Sequence, residues 1–133
     1  MTLAATGSAP WRLAWAQRIA AALIALFWVS FLGEYKELPA PIVDFEWCFI
    51  APDLLFIVLP FLVSSRWLLT GNRKARAATA VAGGAMFYLG LLDVAYNALH
   101  GQYPTSRGFL DAAVNLACLI FGAVNIRYGL GED

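Results

Sequence analysis

Apolar residues gather in four long runs, at about 13–33, 47–69, 77–99 and 109–127, and the polar stretches between them are short and rich in Gly, Pro and charge. A hydrocarbon core roughly 30 Å thick needs about 20 residues of helix, so each run is long enough to cross a bilayer. The pattern predicts an all-α fold, a transmembrane four-helix antiparallel bundle, because short links force consecutive helices to lie side by side in opposite directions. The four runs use up nearly all of residues 1–133, which leaves a single transmembrane domain and no room for a separate soluble one.

Two features modify this plan within the runs. Pro60 lacks an N–H and should kink or loosen the second span near Phe56, with Ser64 or a neighbouring helix re-satisfying the freed carbonyl. Pairs of small residues, Ala16 and Ala20, Ala80 and Gly84, and Ala113 and Ala117, are spaced for close helix contact. The stretch 33–46 carries Pro39, Pro41, Glu34, Glu37, Asp44 and Glu46 and reads as an acidic, turn-rich loop that is not helical throughout. Arg12 and Arg18 ahead of an apolar run also resemble the start of a signal peptide. The bulky Phe31, where cleavage wants a small residue, favours a retained anchor instead.

Composition agrees with a bilayer as solvent: of 133 residues, 61% are hydrophobic and 14% charged, against about 25% charged in a soluble domain. Net charge is zero, and no basic run interleaved with aromatics suggests a nucleic-acid partner. The partners expected are the lipid bilayer and either further copies of the chain or a larger membrane protein. Of the nine Lys and Arg, seven (Arg12, Arg18, Arg66, Arg73, Lys74, Arg76 and Arg127) fall on one side, leaving Lys36 and Arg107 on the other. The positive-inside rule then places both termini in the cytoplasm of a bacterial inner or plasma membrane.

The candidate chemistry lies where hydrocarbon should forbid it. At 1.5 Å per residue from each span's centre, Asp53 and Asp93 sit about 7 Å outward of the midplane and Asp111 about 10 Å. Asn97 follows Asp93 by one turn and His100 by two, while Asp111 and Asn115 form a second i, i+4 pair. A charge at that depth costs about 2.5 to 3.5 kcal/mol on insertion scales, so it faces protein and has a partner. These residues predict one outward-facing polar pocket lined by Asp53, Asp93, Asn97, His100, Asp111 and Asn115, with Glu46 at its rim. Oxygen ligands of this kind suit a hard cation, and a buried carboxyl can carry a proton.

Competing local explanations exist. Pro52 as a first helical residue makes Asp53 a first-turn carboxylate favoured by the helix dipole, and Asp111 soon after Gly108 could be the same. Asp93, near the C-terminal half of its helix, has no such role, although a bond to Asn115 or Tyr88 would make it plain helix glue. A lone His100 is a weak metal signal, and the sequence holds no nucleophile elbow, phosphate loop or Cys-x-x-Cys. Cys48 and Cys118 fall at different depths and are expected as free thiols.

The stretches Ala51-Pro52-Asp53, Tyr88-Leu89-Gly90-Leu91-Leu92-Asp93-Val94-Ala95-Tyr96-Asn97-Ala98-Leu99-His100-Gly101 and Asn115-Leu116-Ala117-Cys118 resemble those of small four-span bacterial membrane proteins with no assigned activity. That resemblance implies the fold and groups these stretches together; it implies no cofactor or reaction. Three functions follow as expectations: binding of a cation, proton or small polar ligand in the pocket, a non-catalytic accessory or scaffold subunit, and an enzyme acting on a lipid-like substrate through Asp93 and His100.

Overall fold

The computed structural model describes residues 8–104 and 106–131, without the side chains of residues 8, 106 and 107. Thr105 and the charge of Arg107 therefore lie outside the described residues. The described chain is all-helical. The first span is α1 (Ser8–Glu34), followed by one 3-10 turn at Tyr35–Glu37. The second is assembled from α2 (Ala40–Trp47), α3 (Ile50–Pro52), a π-helical segment (Asp53–Val58) and α4 (Leu59–Leu69). The third is α5 (Ala75–Leu99) and the fourth α6 (Ser106–Leu130). Four helical stretches are long and apolar enough to cross a membrane: Ala9–Glu37, Ala40–Leu69, Ala75–Leu99 and Gly108–Leu130.

The second span begins earlier than its apolar run suggests. Pro39 and Pro41, read from sequence as turn residues, instead start α2: Pro39 precedes the first helical residue and Pro41 falls in the first turn, where a missing N–H costs nothing because that N–H has no intrahelical partner. Helix then breaks at Cys48 and Phe49 and resumes at Ile50. The loosening expected from Pro60 takes the form of the π-helical turn, in which Leu59 N–H reaches back five residues to the Leu54 carbonyl. Widening the helix there accommodates a ring that would clash with the carbonyl of Phe56 four residues earlier. Ser64 plays no part in this, because its hydroxyl is directed at the first span.

The third and fourth spans approach most closely. A Cβ added to Gly83 would lie 2.6 Å from Asn125 Cβ and 2.8 Å from the Gly122 carbonyl, while one on Gly90 would meet Leu119 and Cys118. Gly129 approaches Ala80 in the same way, so partner numbers on α6 fall as those on α5 rise. Of the small residues named from sequence, Ala80 lies on this seam and Ala20 packs against the apolar core, whereas Gly84 has nothing within 4 Å and Ala113 and Ala117 are exposed. A spacing of four recurs on more than one face of a helix, and only tertiary contact selects which one is used.

A polar layer crosses the half of the bundle opposite the acidic residues. Gln17 Nε2 donates to Asn125 Oδ1 at 2.8 Å and Ser64 Oγ donates to Gln17 Oε1 at 2.6 Å, with Thr79 Oγ1 3.4 Å from the same amide nitrogen. Each span contributes one side chain, and all four are fully buried. Thr79 and Asn125 complete their bonding on the carbonyls of Ala75 and Phe121. Backbone and side chains thus satisfy one another in a region without water, which fixes the rotation of all four helices. Next to this layer Ala21, Ile57, Phe61, Ala82 and Met86 form the main apolar core. Arg18 Nε donates to Ser65 Oγ at 3.3 Å, and its guanidinium lies over the Trp15 ring.

Candidate functional site

The acidic residues enter from three elements that the sequence positions for separate reasons. Asp53 opens the π-helical turn, directly after the break at Cys48 and Phe49 and behind Pro52. Its own backbone N–H bonds to the Phe49 carbonyl in the ordinary helical manner. The carboxylate makes no hydrogen bond with its own helix. It turns instead to the first span, where Trp28 Nε1 donates to Oδ2 at 3.1 Å. Asp53 is 5% exposed and Trp28 2%. The other oxygen, Asp53 Oδ1, is buried without any hydrogen-bond partner. An unmet buried acceptor costs about 1–3 kcal/mol, so a native site that retains one calls for an explanation.

Glu46 is carried in by α2, whose position is set by rings on both sides. Trp47 packs edge-on against Phe31 and Tyr35 of the first span, with centroids 5.7 and 5.6 Å apart. Phe45 stacks on Tyr96 of the third at 3.7 Å. Glu46, between those two clamped residues, is half-buried. Asp93 lies on α5 one turn before Tyr96 and Asn97 and is likewise half-buried, as is Asp111 on α6.

Glu46 lies within electrostatic reach of Asp93, Asp53 and Asp111, and Asp93 within reach of Asp53 and Asp111. Cys118, a half-buried free thiol, is close enough to feel Asp93 and Asp53. Spans two, three and four therefore bring four carboxyl groups toward one region. No Lys or Arg with a described side chain pairs with Glu46, Asp53 or Asp93. Among the described residues, no group of three His, Cys, Asp or Glu is drawn tightly enough to hold a metal ion directly.

The remaining residues named from sequence sit differently. His100 is exposed; its ring stacks on Tyr96 at 4.1 Å and its Nδ1 lies 2.9 Å from the Tyr96 carbonyl. Asn115 is buried and donates to the Tyr103 hydroxyl at 3.2 Å, tying α6 to the preceding loop. Asn97 is half-buried, and its carbonyl accepts the Gln102 N–H that ends the third span. Neither local partner weighed for Asp93 serves it, since Asn115 is taken by Tyr103 and Tyr88 is an exposed side chain. Both cysteines are free, with Cys48 exposed.

Trp28 is the residue that reading the sequence missed. A buried tryptophan needs an acceptor for its indole N–H, and Trp28 lies in an otherwise apolar run of the first span. That was the available signal. No known protein family matches this chain, and no curated protein or solved structure does.

Proposed function

We propose that this chain is a multi-pass protein of the plasma membrane, the inner membrane if the source is bacterial, and that its acidic cluster binds a cation in competition with protons. Both termini lie in the cytoplasm and the four spans alternate in direction, supported by the seven basic residues on one side and by the opposed numbering of contacts between α5 and α6. The cluster then opens outward. The observation that carries the reading is Asp53 Oδ1, buried and unpartnered, in reach of further carboxyls and without an ion pair to any Lys or Arg whose side chain is described. Positive charge from solution is what such a constellation lacks.

The broken second span supports the same reading. Interrupted helices at membrane depth leave backbone carbonyls that line polar cavities, and such breaks accompany ion sites. Below the cluster, the satisfied layer of Gln17, Ser64, Thr79 and Asn125 offers no continuation toward the other face. A single copy is thus a binding module, and conduction would require assembly of several copies.

Trp28 provides the reporter, because its indole touches Asp53 directly. The full chain in detergent micelles is titrated with the chlorides of Na⁺, K⁺, Mg²⁺ and Ca²⁺ against choline at matched ionic strength, following tryptophan emission. One of the four ions is expected to give a saturable change. Asp53→Asn abolishes it and Asp93→Asn weakens it by about tenfold, the effect of losing one nearby charge. No response to any ion, or equal responses in wild type and both variants, contradicts the proposal. The latter result suits an accessory or scaffold subunit, a reading favoured by the Trp28–Asp53 bond, which already ties two spans together. Acid-base chemistry by Asp93 with His100 has the least support, given the engagement of the His100 ring with Tyr96.

A further inference from the structure

A second feature lies outside the bundle, on the opposite half from the acids. A groove of about 430 Å³ runs between α4 and α5. Its walls are apolar, from Leu59, Pro60 and Val81 at the deep end through Val63 to Trp67 near the loop, and the only charged residue in its lining is Lys74. Lys74 is exposed at the start of α5, beside exposed Arg73. We propose that the groove binds one anionic phospholipid, with an acyl chain between α4 and α5 and the phosphate against Lys74 and Arg73.

Length and charge select this occupant. From Trp67 to Leu59 the groove follows eight residues of helix, about 12 Å, close to the roughly 15 Å depth of one leaflet's hydrocarbon. A packed transmembrane helix would need a seam along the whole span, whereas a chain from one leaflet needs only its own half. Basic side chains at the headgroup level of a cleft between helices recognise anionic lipid. Tryptophan at the same level is at home at the interface. Among the described residues, neither the Lys74 ammonium nor the Arg73 guanidinium has a protein partner to compete with such a phosphate.

The full chain, extracted in mild detergent, is offered equal amounts of phosphatidylglycerol and phosphatidylcholine with identical acyl chains, and retained lipid is counted by native mass spectrometry. Retention of one phosphatidylglycerol is expected, preferred over phosphatidylcholine by about fivefold for each basic group engaged. Arg73→Ala with Lys74→Ala, both on exposed loop positions, brings the ratio close to one. Ala77 also lines the groove, so Ala77→Trp, which fills it, lowers retention of both lipids while the helical signal is kept, and inorganic phosphate does not displace the lipid. Equal retention by the wild type, or a preference that survives removal of both basic residues, overturns the proposal. So does a dimer dispersed by Ala77→Trp, since the groove would then belong to a second copy of the chain.

Discussion

Gly83→Ala should loosen the bundle markedly, while Gly84→Ala, one residue further on, should leave it close to wild type. The added methyl at Gly83 would lie 2.6 Å from Asn125 Cβ, 2.8 Å from the Gly122 carbonyl and 2.9 Å from the Ile126 nitrogen. Two of these are backbone atoms of α6, so relief requires the helices to separate. Overpacking of this kind costs about 1–3 kcal/mol. At Gly84 nothing lies within 4 Å, and a methyl facing lipid should change stability by less than about 0.5 kcal/mol. Unfolding by sodium dodecyl sulfate from mixed micelles, followed by circular dichroism, measures both. Equal effects would mean that the α5–α6 seam is not where Gly83 and Gly122 place it. The contrast bears on the site, because this seam sets the spacing between Asp93 and Asp111.

Trp28→Phe should cost more than its change in volume implies, and Asp53→Leu should reverse much of that loss when the two are combined. The indole N–H is the one hydrogen bond reaching the Asp53 side chain. Without it both carboxyl oxygens stand unmet in a buried position, at a cost of about 1–3 kcal/mol. Replacing both partners by apolar groups removes the unmet acceptors and the unmet donor together, which is often close to neutral. A double-mutant cycle in the same unfolding assay therefore predicts strong non-additivity. Additive losses would show that Trp28 and Asp53 act through separate surroundings, leaving the carboxylate without its link to the first span.

The four spans were legible because twenty apolar residues in succession have few other uses. Their internal breaks were less so. Proline disfavours helix in its interior but favours the first turn, and nothing local to Pro39 or Pro41 says which end it occupies; the packing of Trp47 and Phe45 on neighbouring spans decides it. Pro60 was readable as a disturbance near Phe56, though its resolution as a π-helical turn depends on the surrounding helices. The Gln17, Ser64, Thr79 and Asn125 layer is not legible from the spacing of the outer acids and asparagines, because uncharged polar groups in hydrocarbon need partners just as charges do, and which helices supply them is set by packing. Gly84 and Ala117 carried the right spacing on the wrong face. For the site, depth along the helix puts Asp53, Asp93 and Asp111 in a common layer with Glu46 at its rim. Direction around each helix was beyond it, which is why the engagement of His100 with Tyr96 and of Asn115 with Tyr103 could not be foreseen.

The claim on which the functional account rests is that carboxyls from different spans answer to the same ion. Infrared difference spectra of the full chain carrying ¹³C-labelled aspartate, recorded with and without the cation selected by the Trp28 titration, observe those groups themselves. The wild type should show aspartate carboxyl bands shifting together on cation addition, and Asp93→Asn should alter the bands that remain as well as removing its own. Spectra in which each substitution deletes one band and leaves the others untouched would contradict it.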